Sequence, residues 1–424
     1  MQVHGVLAEL RATAATRPLW IWGAGNQGRG ICSVLQGHGV PLAGFLDQAA
    51  DRLAGRVMGL PVAEPSRVLN ALDGVASSQR PFVVIASWFF EAEIAQRLRA
   101  AGLGEHDDFI GYSRLKPVDY SVDIVGVCNL KCLACPRASR APSDGKLGMM
   151  SLETFRLVLD KILAESPFVG NLQLYQWGEP VLHPQLPEIV EHARSRGVLC
   201  AISSNLNADV DYARILSARP EWLRISTSGW GEGYEMTHAR GRWPRFLEHL
   251  REVATLRRTL HPEMKIEVYY HLYKHSVGDS LARFQALCDE LGLELHPIPA
   301  YLISLDDVLG YCEGRPLPEP ARQAAEQLLV SLEDGLAAAY RERHRGCDVL
   351  RCVNINWDTS VSQCMLYYDS VGNTVAPSYL EIPLERIQAL RHAADLCRRC
   401  TRYGLHQYCA SYARMEPVSE AASA

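Results

Sequence analysis

Cys128, Cys132 and Cys135 stand together in the stretch CNLKCLACP. The spacing CxxxCxxC suits a metal centre held by sulfur. A structural zinc takes four ligands, commonly as two CxxC or CxxH pairs, and the next cysteine along the chain, Cys200, is too far away to complete a local knuckle. Zinc stays open as one reading. The other is a four-iron cluster held by three thiolates, which leaves one iron free to bind a substrate or cosubstrate. That asymmetry would give three cysteines without a fourth a chemical purpose.

The chain around them has 424 residues, which implies about two to four domains. Hydrophobic residues make up 48%, charged residues 21%, and the formal charge is -5. This is a globular composition without the basic footprint of a nucleic-acid binder. No stretch approaches the roughly 20 apolar residues that span a bilayer, and MQVHGVLAELRATAATRPLW lacks a signal peptide's charged start and apolar middle. Nucleic acid and membrane are not expected partners, and the expected location is cytoplasmic. In a reducing compartment the 13 cysteines favour metal ligation where they cluster over a disulfide framework. Isolated Cys32 and Cys200 fall in apolar patterns and read as buried.

The elements that must position this chemistry fall into successive blocks. Residues 18–47, PLWIWGAGNQGRGICSVLQGHGVPLAGFLD, read as strand, glycine turn, helix and a second strand ending at Asp47. Gly23, Gly25 and Gly28 have the GxGxxG spacing that lets a backbone approach a diphosphate, and Asp47 is placed to meet a ribose hydroxyl. With the strand FVVIAS further on and an exit near SRLKPVDY, residues 1–115 are expected to form a Rossmann-like nucleotide-binding or docking domain, taking NAD(P) or a sugar nucleotide. Residues 116–310 alternate strand and helix. The strands are SVDIVGVC, NLQLYQ, VLCAISSN, WLRISTS, KIEVYYHL and LELHPIPAY, separated by amphipathic stretches such as SLETFRLVLDKILAES and WPRFLEHLREVATLRRTL. Six such units predict a partial (βα)6 TIM-type barrel. A helical linker over 311–345, containing EPARQAAEQLLVSLEDGLAAAYRERHRG, then leads to a small cysteine-rich domain over 346–424.

The barrel strands carry a second signal. Residues that face covering helices should be apolar, and the alternate ones face the lumen. Here the alternate set is polar: Asp123, Gln173, Tyr175, Arg224, Glu267, Tyr269, His271, Glu294 and His296. Burying such groups unpaired costs about 1–3 kcal/mol each, so they need a polar ligand or one another. The expectation is a small polar substrate, with Arg224, Glu267, Tyr269 and His271 facing it; that some of the set sit in ion pairs or at exposed strand ends is the competing reading.

CxxxCxxC after the first strand of a partial barrel resembles the radical S-adenosylmethionine enzymes. In that family the open iron chelates S-adenosylmethionine, whose reductive cleavage gives a 5′-deoxyadenosyl radical that abstracts a substrate hydrogen. The family's GGEP motif is represented by WGEP, with Gly178, Glu179 and Pro180 in place and Trp177 where the first glycine stands. The resemblance implies that Glu179 receives the cosubstrate's ammonium group. It also makes Ser203, Ser204 and Asn205 in SSNLN, and Ser226 and Ser228 in STSG, candidates for holding its carboxylate and ribose. Each serine could instead cap a helix.

The tail, from GCDVLRCVNINWDTSVSQC to LCRRC, resembles the SPASM/twitch extension of these enzymes, with Thr359 where its hairpin has glycine. By that resemblance Cys364, Cys397, Cys400 and either Cys347 or Cys352 hold a second, auxiliary four-iron cluster, Cys347 being favoured because a whole strand can then precede Cys364. Four cysteines with one CxxC also suit a zinc ribbon. Cys312, in DVLGYCEGRP, is a candidate hydrogen donor at the barrel mouth. The resemblance implies an oxidoreductase or epimerase of a sugar, aminocyclitol or nucleotide-linked sugar, fed by a flavodoxin- or ferredoxin-type electron donor. A maturase of ribosomally made peptides is the alternative within the fold; a non-catalytic iron–sulfur or redox-sensing protein is the alternative outside it.

Overall fold

The computed structural model describes residues 2–53, 55–72, 74–76, 79–87, 90–139, 147–166, 168–368 and 372–415. The chain forms two units. One is Met1–Tyr120 with Leu159–Leu172 and His192–Cys200; the other is Ser121–Val158 with Gln173–Glu191 and Ala201–Ala424.

The first unit holds a sheet of β1 (Leu19–Trp22), β2 (Gly44–Leu46), β3 (Arg56–Val57), β4 (Leu60–Ala63), β5 (Phe82–Ile85) and β6 (Phe109–Ile110). Their order is β3-β4-β2-β1-β5-β6. β1 pairs in parallel with β2 and β5, β2 with β4, and β5 with β6, while β3 and β4 are antiparallel. All four residues of β5, Phe-Val-Val-Ile, are buried, as a central parallel strand requires. The strand order reverses between β1 and β5, and there the glycine turn leads into the helix Asn26–Gly37. Gly23 has φ +111°, and a β-carbon on Gly28 would stand 1.8 Å from the Gly23 carbonyl oxygen. Glycine at 28 is what lets the helix close on the strand. The Asp47 carboxylate accepts the N–H groups of Ala24 (2.8 Å) and Ala49 (2.9 Å) and braces the same turn.

The remaining strands follow β7 (Val118–Asp123) and the short β8 (Lys131–Cys132). They are β9 (Val169–Gln173), β10 (Cys200–Ser204), β11 (Trp222–Thr227), the short β12 (His238–Ala239), β13 (Lys265–Leu272), β14 (Glu294–Pro299), β15 (Cys352–Asn356), β16 (Val361–Ser362) and β17 (Thr374–Ala376). The six strands expected of the barrel are all present and stand in chain order, β7-β9-β10-β11-β13-β14, and the hairpin strands β15-β16-β17 extend the same sheet beyond β7. Parallel pairing joins β10 to β11, β11 to β13 and β13 to β14. Helices Leu186–Ser195, Tyr212–Ser217, Trp243–Leu260 and Asp279–Leu291 follow the strands, so the segment is mixed α/β with a parallel sheet. On β11 the apolar Leu223 and Ile225 are buried while Arg224 and Ser226 are half-buried, the alternation that the sequence pattern demands.

Two expectations change. The stretch 319–346 is two helices, Glu319–Gln327 and Leu332–Arg341, because Ser331 caps the second by accepting the Asp334 N–H (3.1 Å). It is also no free linker, since Ala324, Leu328, Leu332 and Ala339 are buried in one apolar cluster with Leu396, Tyr408 and Tyr412. At the β15–β16 turn Thr359 sits at φ +69°, the left-handed region where a glycine was expected. Its hydroxyl donates to Ser378 Oγ (3.2 Å), and its carbonyl accepts the Tyr379 N–H (2.7 Å).

Gly28→Ala should destabilise the protein by about 3 kcal/mol or more in urea unfolding, since the added methyl meets backbone. Gly25→Ala should be near neutral, because Gly25 has φ -75° and open space in front of it.

Candidate active site

The cysteine loop is anchored at both ends. At its start, Gly126 N–H donates to Gly148 O (2.7 Å), and Arg137 Nη2 donates to the Gly126 carbonyl (2.7 Å). Further on, β8 pairs with β12, setting Cys132 opposite His238, and Leu133 N–H reaches Thr237 O (2.8 Å). The indole of Trp357 lies across the paired glycines: a β-carbon on Gly126 would stand 2.3 Å from its Nε1, and one on Gly148 2.3 Å from its Cζ3. Neither glycine can carry a side chain while that tryptophan is in place. Burial pushes the Cys128 thiol up to about 12 and raises Cys132 and Cys135 as well. Among the described residues, the ligand-type side chains whose donor atoms all lie within 4.8 Å of one another are Glu267, Glu294 and His296, not three cysteines. Sulfurs around one tetrahedral zinc would stand about 3.8 Å apart.

Beside the loop lies Glu179. The turn that carries it is fixed by Asp123, at the end of β7, whose carboxylate accepts the N–H groups of Gln176 (3.2 Å), Trp177 (3.0 Å) and Gly178 (3.4 Å). Burial outweighs these bonds and pushes the Asp123 carboxyl up to about 6. A β-carbon on Gly178 would stand 1.6 Å from the Val125 carbonyl oxygen, so this crossing tolerates glycine alone. Glu179 N–H then donates to Val127 O (2.8 Å), and the side chain, 4% exposed, turns inward. Oε2 accepts the Asn205 N–H (3.0 Å); Oε1 is buried with no hydrogen-bond partner. Burial pushes this carboxyl up to about 7. The Asn205 amide joins the two halves of the site, donating to Asn129 Oδ1 (2.9 Å) and lying 3.8 Å from Cys128 Sγ. Trp177 packs edge-on against Tyr368, ring centres 5.2 Å apart, while Gln176 Nε2 donates to Met365 O (2.7 Å).

The candidate serines divide. Ser203 and Ser226 are half-buried and in register with the polar lumen residues Arg224 and Tyr269. Ser204 and Ser228 are turned inward: Ser204 Oγ accepts the Leu206 N–H (3.0 Å), and Ser228 Oγ pairs with Thr237 Oγ1 (2.6 Å). Both are buried. In the lumen, Glu267 pairs with Lys265, as the competing reading held, and accepts the Tyr269 hydroxyl (3.3 Å). Burial, followed by the charge of Arg224, pushes the His271 imidazole down to about 3, so it stays neutral.

In the C-terminal segment Cys347, Cys364, Cys397 and Cys400 line one cavity, with Gln363, Tyr367, Arg391 and His406. Cys352 is not among them; its sulfur lies 3.9 Å from Asn354 Oδ1. Gln363 Nε2 donates to Cys397 Sγ (3.1 Å). Arg391, 1% exposed, was not singled out from sequence, and it is the hub of this cavity. Its guanidinium donates to the carbonyls of Gln363 (2.8 Å), Val349 (3.0 Å) and Leu350 (3.3 Å), tying the residues after Cys347 to the one before Cys364. An arginine six residues before CRRC was the only hint. Cys312, the candidate hydrogen donor, ends the helix Leu305–Cys312 and packs against the apolar cluster of Leu305, Leu309 and Tyr408, where burial pushes its thiol up to about 11. In the first unit, Gly23, Gly25, Asn26, Asp47, Ser87 and Arg97 line a cavity of about 370 Å³.

No family model matches the chain, and no curated protein matches it. The solved structures similar to it include radical S-adenosylmethionine enzymes with that cosubstrate bound. Streptococcus suis SuiB bound to the precursor peptide SuiA is 13% identical, with 73% of this chain and 79% of that one covered and a TM-score of 0.46. anSMEcpe with S-adenosylmethionine and the Kp18Cys peptide is 14% identical, with 69% and 88% covered and a TM-score of 0.46. BtrN in complex with S-adenosylmethionine and 2-DOIA is 12% identical, with 72% and 94% covered and a TM-score of 0.38.

Replacing Arg391 by methionine strands one buried carbonyl, that of Gln363, at about 1–3 kcal/mol and leaves two half-buried ones to water, so urea unfolding should show a loss of at least about 1 kcal/mol. Trp357→Ala should loosen the cysteine loop: in metal-free protein, iodoacetamide should alkylate Cys128 several-fold faster than in the parent, while Cys288, remote in the helix Asp279–Leu291, should react as before.

Proposed function

We propose that this chain is a radical S-adenosylmethionine enzyme. The observation that carries the reading is Glu179 Oε1, a buried carboxylate oxygen without a partner, set through Asn205 against the loop of Cys128, Cys132 and Cys135. A buried carboxylate oxygen calls for a hydrogen-bonded cation, and the ammonium of S-adenosylmethionine is one. Three thiolates suit a four-iron cluster with one open position. In this reading Cys128, Cys132 and Cys135 hold that cluster. Glu179 takes the cosubstrate's ammonium on Oε1 while the Asn205 N–H fixes Oε2. The Gly178 crossing sets the distance between carboxylate and loop, and Ser203, Asn205 and Ser226 offer polar groups to the rest of the cosubstrate. When bound, the cluster supplies the electron that cleaves S-adenosylmethionine, and the 5′-deoxyadenosyl radical so released removes a hydrogen atom from substrate.

Cys347, Cys364, Cys397 and Cys400 would hold an auxiliary cluster, with the Gln363 N–H tuning one sulfur. A small polar substrate, a sugar or aminocyclitol type undergoing oxidation or epimerisation, fits the half-buried polar rows of β11 and β13. A flavodoxin- or ferredoxin-type protein would be the electron donor. The first unit, with its strand-order reversal and glycine turn beside the 370 Å³ cavity, reads as a Rossmann-like nucleotide-binding domain. Among the described residues no helix is long and apolar enough to cross a membrane.

With dithionite, the anaerobically reconstituted protein should convert S-adenosylmethionine to 5′-deoxyadenosine and methionine. The Cys128, Cys132, Cys135→Ala triple variant should form neither product, and absence of both from the parent protein overturns the proposal. Glu179→Gln removes a charge-assisted hydrogen bond, so calorimetric affinity for S-adenosylmethionine should fall about tenfold or more with the cluster iron retained.

A further inference from the structure

The lumen face of the sheet carries a guanidinium that the protein's own carboxylates leave unneutralised. Register sets Ser203, Arg224, Glu267 and Glu294 in one row across β10, β11, β13 and β14, and Ser226, Tyr269 and His296 in the next. The acids of the first row are taken up by other groups. Lys265 pairs with Glu267 and lies 3.8 Å from Glu294, and His296 Nε2 lies 3.6 Å and 3.3 Å from the same two carboxylates. Among the described residues Arg224 forms no ion pair. It stacks over the Tyr269 ring, 4.0 Å from carbon to ring centre, and its Nε is buried without a hydrogen-bond partner. Stacking satisfies the face of a guanidinium and leaves its in-plane N–H groups free to bind.

The surroundings collect donors. The charge of Arg224 opposes the burial that raises the Tyr175 phenol, and it acts on Tyr301 in the same sense. Burial keeps the Tyr175 phenol protonated; for Tyr301 the Cys409 thiol is the larger cause and burial adds to it. His271, also within the field of Arg224, is neutral.

We propose that Arg224 is the binding site for an anionic group of the substrate, a carboxylate or a phosphate, gripped in plane by the guanidinium that the Tyr269 ring holds. This narrows the substrate to a polar metabolite that carries an oxyanion. Calling the anion a substrate group rests on the radical-enzyme reading; anion binding at Arg224 does not.

The test is thermal unfolding of the reconstituted protein titrated with inorganic phosphate or with malonate, at constant ionic strength set by chloride, with calorimetric S-adenosylmethionine binding on the same samples. One anion should raise the midpoint saturably, phosphate pointing to a phosphate ester and malonate to a carboxylate. Arg224→Gln should weaken that anion about tenfold or more, and Arg224→Lys should do so less. Tyr269→Leu, which removes the ring that Arg224 stacks on, should weaken it a few-fold and serves should Arg224→Gln not fold. No saturable effect in the parent protein, or an undiminished one in the variants, overturns the inference. Loss of S-adenosylmethionine binding by the parent protein would instead overturn the enzyme reading and leave the anion site standing.

Discussion

The site depends on one close crossing. Gly178 passes so near the end of β7 that a single β-carbon would stand 1.6 Å from the Val125 carbonyl oxygen. The approach is held from below by Asp123, which gathers three successive N–H groups of the turn, and from above by the Glu179 N–H on Val127. Because the turn lies this close, Glu179 reaches the cysteine loop with its carboxylate buried and one oxygen unmatched. A bulkier residue at 178 would lift the turn away, and the carboxylate would find water instead of a ligand's ammonium. Burial pushes the carboxyls of Asp123 and Glu179 up to about 6 and about 7, the cost of holding two such groups in so dry a place.

Side chains of the C-terminal segment complete this arrangement. Trp357 covers the glycine pair that opens the cysteine loop, Tyr368 meets Trp177, and the Met365 carbonyl accepts from Gln176. The residues around Cys364 therefore touch the same turn that carries Glu179. Arg391 in turn holds the chain on either side of Cys347 and Cys364. Disturbing one cysteine group should be felt at the other through these contacts. The tryptophan at 177 acquires a reason here: where glycine would leave a gap, the indole fills the space against the tail.

Much of this was legible in the sequence, and the exceptions share a cause. The strands read true because a parallel sheet between helices imposes strict alternation. Less legible are the protein's own partners for Asp47, Ser204 and Ser228. Each stands where a ligand contact was expected, but short polar side chains beside a turn compete for backbone N–H groups or neighbouring hydroxyls, and nothing in the sequence says which partner wins. Glu267 found Lys265, two residues away on the same face of its strand, a pairing that alternation alone makes available. Arg391, Trp357 and Arg224's lack of a counter-ion arise from contacts between distant segments, and no local pattern encodes them.

The central claim is that three thiolates leave one iron of a four-iron cluster open to S-adenosylmethionine beside Glu179. Mössbauer spectroscopy of the anaerobically reconstituted Cys397→Ser, Cys400→Ser variant, which isolates the first cluster, tests it most directly. On adding S-adenosylmethionine, about one iron in four should shift to the parameters of a higher-coordinate site while the others stay unchanged. A spectrum indifferent to S-adenosylmethionine, or a protein that takes up zinc in place of iron at Cys128, Cys132 and Cys135, would contradict the account.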